Sequence, residues 1–80
     1  MEYSKETIEQ YRAIQDSGVT NMFDRIMVES ICNEFDFYEL GEIASDSKEY
    51  AKFLISFKIE WLDIKPDEEL VENIRKTFKY

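Results

Sequence analysis

Apolar residues in this chain recur every three or four positions, in short stretches each closed by a helix breaker or a capping residue. That rhythm limits what the chain can fold into more than any other feature. It lays one apolar stripe along each of several short helices, and such stripes leave water only by packing on one another. Ile8, Tyr11 and Ile14 share a face of a first helix predicted over Lys5–Asp16, and Ser17-Gly18 supplies its stop, with Gly18 free to take a left-handed backbone. A second helix is predicted from about Met22 to Phe35, capped by Thr20 or Asn21. If Asn21 is the cap, Asp24 falls at the third helical position, a box-like arrangement. Its buried stripe is read as Phe23, Met27, Ile31 and Phe35, flanked by Ile26 and Ser30, with Asp24, Arg25 and Glu29 toward water.

Asp36 reads as the N-cap of a short third helix, because Glu39 stands three residues on, at the capping-box spacing. Phe37, Leu40, Ile43 and Ala44 then point inward. Gly41 costs such a helix about 1 kcal/mol relative to Ala, and marks either a close approach of a neighbouring helix or a break. Asp46 or Ser47 closes this segment and caps the next.

Residues Lys48–Leu62 carry two patterns. As a helix they align Tyr50, Phe53, Leu54, Phe57 and Trp61; as a strand, Phe53, Ile55, Phe57, Ile59 and Trp61 alternate with the residues between them. A strand needs a neighbour for its backbone groups, and no other stretch alternates convincingly. The helix reading is therefore preferred, and an α+β fold with a strand over 53–61 is the alternative. After a turn at Asp63–Pro66, Pro66 suits the first position of a last helix. Asp67, Glu68 and Glu69 lie at its positive end, Lys76 and Lys79 at its negative end, and Leu70, Val71, Ile74 and Phe78 form its stripe. The expected fold is an all-α bundle of four to five short helices in a single domain spanning 1–80.

Composition narrows function by what it lacks. There is no histidine, so the commonest general base, zinc ligand and activator of Ser or Cys nucleophiles is missing. Two glycines make no phosphate-cradling loop, and the acids do not follow calcium-loop spacing. Cys32, the lone cysteine, sits beside the apolar stripe of the second helix and reads as a packed thiol; a chain without disulfides fits a reducing compartment. No basic-then-apolar leader opens the chain and no apolar run nears the ~18 residues of a membrane span. These features point to a cytoplasmic protein that is not an enzyme and uses no cofactor or metal.

Charge is distributed unevenly. Residues 1–49 hold twelve acids and four bases and so carry the whole net charge of −8, since residues 50–80 hold six of each. Phosphate backbones are repelled by such a surface and basic protein grooves attracted to it. Glu39, Glu42, Asp46 and Glu49 recur at intervals of three, four and three, so continuous helix would put them on one face, and Glu34 and Asp36 extend it. These six carboxylates are the candidate partner-binding residues. Their bland reading is a solvated helix face that keeps a small protein soluble. Tyr3, Tyr11, Tyr38, Tyr50, Tyr80 and Trp61 are further candidate anchors, or core-edge packing with the hydroxyls in water.

The strings Ile14-x-x-Ser17-Gly18-x-Thr20-Asn21-Met22-Phe23-Asp24, Phe37-Tyr38-Glu39-Leu40 and Glu49-Tyr50-x-x-Phe53 resemble a small uncharacterised family of bacteriophages and prophages of Gram-positive bacteria, the DUF5049-like proteins. The resemblance covers about residues 5–55 and leaves the Pro66–Tyr80 helix outside it. It brings no assigned activity and no functional residues; it implies a small phage protein in a bacterial host cytoplasm. The functional expectation is an acidic protein-binding factor. Its sharpest form is a phage-encoded inhibitor of anti-defence or anti-CRISPR type, a DNA mimic that occupies a basic nucleic-acid groove on a host or defence enzyme. Its partner would be a protein with a basic surface, with no direct contact to nucleic acid or membrane. The alternative is a structural or assembly protein acting as a helical homodimer through Phe57, Trp61 and the last helix.

Overall fold

The computed structural model describes residues 3–78 and is all-α. Five helices, α1 (Lys5–Ser17), α2 (Arg25–Phe35), α3 (Tyr38–Ser45), α4 (Ser47–Ile55) and α5 (Glu68–Thr77), are joined by short turns, with a 3-10 segment, Ile59–Asp63, between α4 and α5. No strand occurs among the described residues. α3 packs on α1, α2 and α4, and α5 lies against α1.

The ends of the helices follow local chemistry. The Ser4 side chain accepts from Thr7 N–H to start α1, and Gly18 ends it at φ 69°. Asp46 closes α3 and caps α4 by accepting from Lys48 and Glu49 N–H, one short polar side chain serving the junction. α5 begins two positions later than expected. Asp67 is the cap and accepts from Glu69 N–H, so Pro66 lies outside the helix and not at its first position; Glu68 and Glu69 hold the first turn, Arg75 and Lys76 the last. Lys79 and Tyr80 lie outside the described residues.

Three further expectations are corrected. α2 starts at Arg25, not Met22, and its cap is Asp24, which accepts from Met27 N–H. The Asn21 side chain instead accepts from Phe23 N–H within the preceding turn. Phe23 is consequently thrown out of the stripe and is 82% exposed; Val28, Ile31 and Cys32 are the residues α2 buries. Asp36 is not the N-cap of α3. It ends α2 in the left-handed region at φ 58°, a conformation that Asp tolerates better than most side chains, and Phe37 precedes α3 without a side-chain cap.

The third correction concerns residues 48–62, which are neither one helix nor a strand. α4 stops at Ile55, Lys58 is extended, and the 3-10 segment follows. A continuous helix would carry Trp61 about 12 Å along the axis from Phe53, eight residues at ~1.5 Å each. The break instead brings the two rings to 5.4 Å, with Phe57 5.3 Å from Trp61. Phe53 and Trp61 are buried while Ile55 and Ile59 face water, so the alternation in the sequence does not mark two faces of a sheet.

The core is aromatic at its centre. Phe53 has no exposed surface and meets Tyr3, Tyr11 and Trp61 at 4.8–5.4 Å, the first two edge-on. Ile8, Ile14, Val28, Leu40, Val71 and Ile74 extend it. Gly41 serves close packing rather than a break: a Cβ there would stand 3.3 Å from Cys32 Cβ on α2. Two arginines fasten helices end to side. Arg25 donates to the Ala44 carbonyl at 2.8 Å, and Arg75 donates to the Asp16 and Ser17 carbonyls, each at 3.2 Å, meeting carbonyls at the C-terminus of α1.

Candidate functional site

The six candidate carboxylates do not form one row. The turn at Asp46 breaks the helix that would have aligned them. Asp36 and Glu42 line one groove between α2 and α3, together with Glu29, Asn33 and Tyr38. Glu34 is exposed on α2 and does not line that groove. Glu39 turns toward α1, Asp46 is occupied as the cap of α4, and Glu49 is half-buried with Lys52 Nζ 3.5 Å away.

Glu39 acts as a clamp. Its Oε1 accepts from the Ser4 hydroxyl at 2.7 Å and from the Thr7 hydroxyl, tying the first turn of α1 to α3. These donors, Thr7 foremost and then Ser4, hold its carboxyl below the ordinary value, against a smaller opposing effect of burial. A carboxyl lowered on folding adds stability above its unfolded pKa and loses it as pH falls through the folded one. Glu39→Gln should therefore flatten the acid side of the stability–pH curve below about pH 4.5. At neutral pH it should cost about 0.5–1 kcal/mol, the strength of a charged hydrogen bond reduced by solvent. Urea denaturation at several pH values checks this; parallel curves for both proteins would contradict the clamp.

The groove between α2 and α3 is electrostatically one-sided. Glu34 and Glu42 have no ion-pair partner among the described residues, and Glu29 faces Arg25 only at 4.0 Å, while Arg25 is spent on the Ala44 carbonyl. Tyr38 is exposed at its edge, beside the carboxylates. The arrangement offers ionic contacts and an aromatic face, a combination suited to Lys and Arg side chains. Cys32 lies at its floor, but burial, helped by Glu29, pushes the thiol up to about 12, so it is protonated and unreactive at neutral pH. Spacing alone pointed to neither Glu29 nor the convergence of Asp36 with Glu42. Of the aromatic candidates, Tyr11, Tyr50 and Trp61 are core residues, Tyr3 is half-buried and Tyr38 is exposed; Tyr80 lies outside the described residues.

A wider groove of ≈ 610 Å³ runs between α1, the 3-10 segment and α5, past Arg12, Asp16, Lys65, Glu72 and Arg75. Its charges are largely engaged within the chain: Arg12 with Asp16 at 3.7 Å and Arg75 with Glu72. Arg12 Nε has no hydrogen-bond partner, but it is buried and out of reach of a molecule in the groove. No group of three or more His, Cys, Asp or Glu among the described residues is placed to hold a metal ion, and no helix among them is long and apolar enough to cross a membrane.

Comparison with known proteins gives a family without a function. No curated protein matches the chain, and no solved structure matches it. The family described as a domain of unknown function, DUF5049, matches residues 4–57, which hold α1 to α4 and both sides of the acidic groove. The chain therefore belongs to the DUF5049 family, with the 3-10 segment and α5 lying beyond the matched region.

Proposed function

We propose that this protein is an acidic protein-binding factor whose α2–α3 groove docks a basic surface of another protein. The observation that carries the reading is the convergence of Glu29, Asp36 and Glu42 beside exposed Tyr38, with no lysine lining the groove. Support also comes from the net charge of −8, which disfavours direct contact with nucleic acid. In its sharpest form the protein is a phage- or prophage-derived factor of the bacterial cytoplasm, an anti-CRISPR-like DNA mimic that occupies a basic nucleic-acid groove on a defence enzyme.

Affinity capture from bacterial lysate, followed by titration with the purified captured protein, tests it. The double variant Glu34→Lys/Glu42→Lys changes two exposed carboxylates that have no ion-pair partner among the described residues, so the fold should survive. Its affinity should fall about tenfold or more, ~1.4 kcal/mol, and wild-type binding should weaken with salt. Equal affinities for both proteins, with no salt dependence, would remove the groove from the interface.

A second reading is assembly through apolar surface. Trp61 is committed to its own core, so it is not available as the contact, but Ile55, Ile59 and Leu62 stand exposed near it. Sedimentation over a concentration range decides this: a homodimer dissolved by Ile59→Ser supports assembly.

A further inference from the structure

The string Ser17–Asp24 has a structural use for nearly every residue except one. Ser17 Oγ donates to the Ile14 carbonyl, Gly18 turns the chain, the Met22 carbonyl accepts from Tyr50 Oη, and Asp24 caps α2. Asn21 accepts from Phe23 N–H at 2.7 Å through its side chain and from Asp24 N–H at 2.9 Å through its carbonyl. These bonds hold Phe23 in place by its backbone while its ring stays 82% exposed. It stands at the edge of a shallow groove lined by Tyr11, Met22, Leu54 and Phe57. Ile26, 59% exposed, follows on the first turn of α2.

An aromatic ring held out in water by a fixed turn gains nothing for the fold and loses little entropy when it is covered. Aromatic side chains are enriched in protein interfaces, and one already held in place binds at a lower entropic cost. The surface that Phe23 and Ile26 start continues along α2, about 16 Å long, to the carboxylates of Glu29, Glu34 and Asp36. Among residues 23–36 four acids accompany one base, Arg25, and that base is turned onto the Ala44 carbonyl.

We infer that Phe23 and Ile26 are the apolar anchor of the proposed interface, and that the partner is a protein surface pairing an apolar pocket with lysines or arginines about one α2 length away. This rests on the acidic docking reading and adds the residues that give it hold. A second copy is a poor occupant, because it brings the same acidic rim against itself. Its exposed apolar side chains are also few against the ~800 Å² per partner of a stable dimer.

The test uses a short helical peptide with leucines on one face and lysines on the other, and a matched peptide with the leucines changed to serine. Titrations are followed by NMR shifts of the intact protein. The leucine–lysine peptide should shift Met22, Phe23 and Ile26 together with Glu29 and Asp36, and Phe23→Ser should weaken it about tenfold. Ile26→Ser repeats the test at a helical position, should the Phe23 change disturb the turn. Equal binding of the serine–lysine peptide, or unchanged affinity in both variants while Glu34→Lys/Glu42→Lys loses it, overturns the anchor and leaves the acidic reading standing. Loss in Phe23→Ser with none in Glu34→Lys/Glu42→Lys overturns the acidic reading instead. A dimer dissolved by Phe23→Ser, or Phe23-dependent binding to phosphatidylcholine vesicles, assigns the surface to a different occupant and overturns the proposal.

Discussion

A chain ending at Phe57, which keeps the whole region matched to the family, should fail to fold cooperatively. The matched region stops at residue 57, yet Trp61, Val71 and Ile74 beyond it are buried in the common core. Each removes about 2 kcal/mol of burial free energy with it, and half-buried Ile64, Leu70 and Phe78 add to the loss. The total is comparable to the ~5–15 kcal/mol that stabilises an ordinary domain. Truncation also strips Arg75 from the Asp16 and Ser17 carbonyls and uncovers the face of α1 that α5 occupies. Thermal melting by far-UV circular dichroism, together with the near-UV aromatic signal, checks the prediction. A sharp melt with a retained near-UV spectrum would mean that α1 to α4 form a self-sufficient unit and that α5 is an appendage.

Phe53→Ala should be the most damaging single substitution outside the turns. Phe53 is fully buried and meets Tyr3, Tyr11, Tyr50 and Trp61, with ring centroids 4.8–6.3 Å away. Truncating such a ring costs about 3–5 kcal/mol, part from lost transfer free energy and part from the cavity left behind. The surrounding rings are held from three directions, by α1, by α4 and by the 3-10 segment, so they have little freedom to collapse into the space. Urea unfolding should show a midpoint far below wild type, or no folded baseline. A loss under about 1 kcal/mol would show that the aromatic cluster is not the centre of stability. Phe23→Ala offers the internal contrast, since its exposed ring contributes almost nothing to packing.

The contrast between these two phenylalanines marks where sequence reasoning ran short. Both sit in apolar patterns of helical spacing. Phe23 continues the interval of four that runs through Met27, Ile31 and Phe35, and nothing in that interval says whether the helix begins before or after it. Asp24 competes with Asn21 for the role of cap, both being good caps, and only the hydrogen bonds between turn and helix decide. Asp36 carries the same ambiguity, because Asp suits an N-cap and also tolerates the left-handed conformation that ends a helix. The candidate site was legible as a composition and not as a constellation. The excess of acids over residues 1–49 is plain, but the grouping of Glu42 with Asp36 and Glu29, and the diversion of Glu39 to Ser4 and Thr7, follow from how α3 sits between α1 and α2.

By itself the sequence determined whatever depends on neighbours within about one helical turn: the helical class, the Ser17-Gly18 stop, the Asp46 junction, the dipole-matched α5 and the packed, inert place of Cys32. Such features are local because capping, propensity and periodic burial act between residues one to four apart. Only the tertiary structure decided the end of α4 at Ile55, the folding-back of Trp61 onto Phe53, the side of α3 on which each carboxylate lies and the exposure of Phe23. The last is set by which of two competing caps the turn before α2 uses, and the first three by contacts between residues more than a helical turn apart. Their free energy comes from filling one shared core, and a one-dimensional pattern of apolar and polar residues carries no record of which element will fill it.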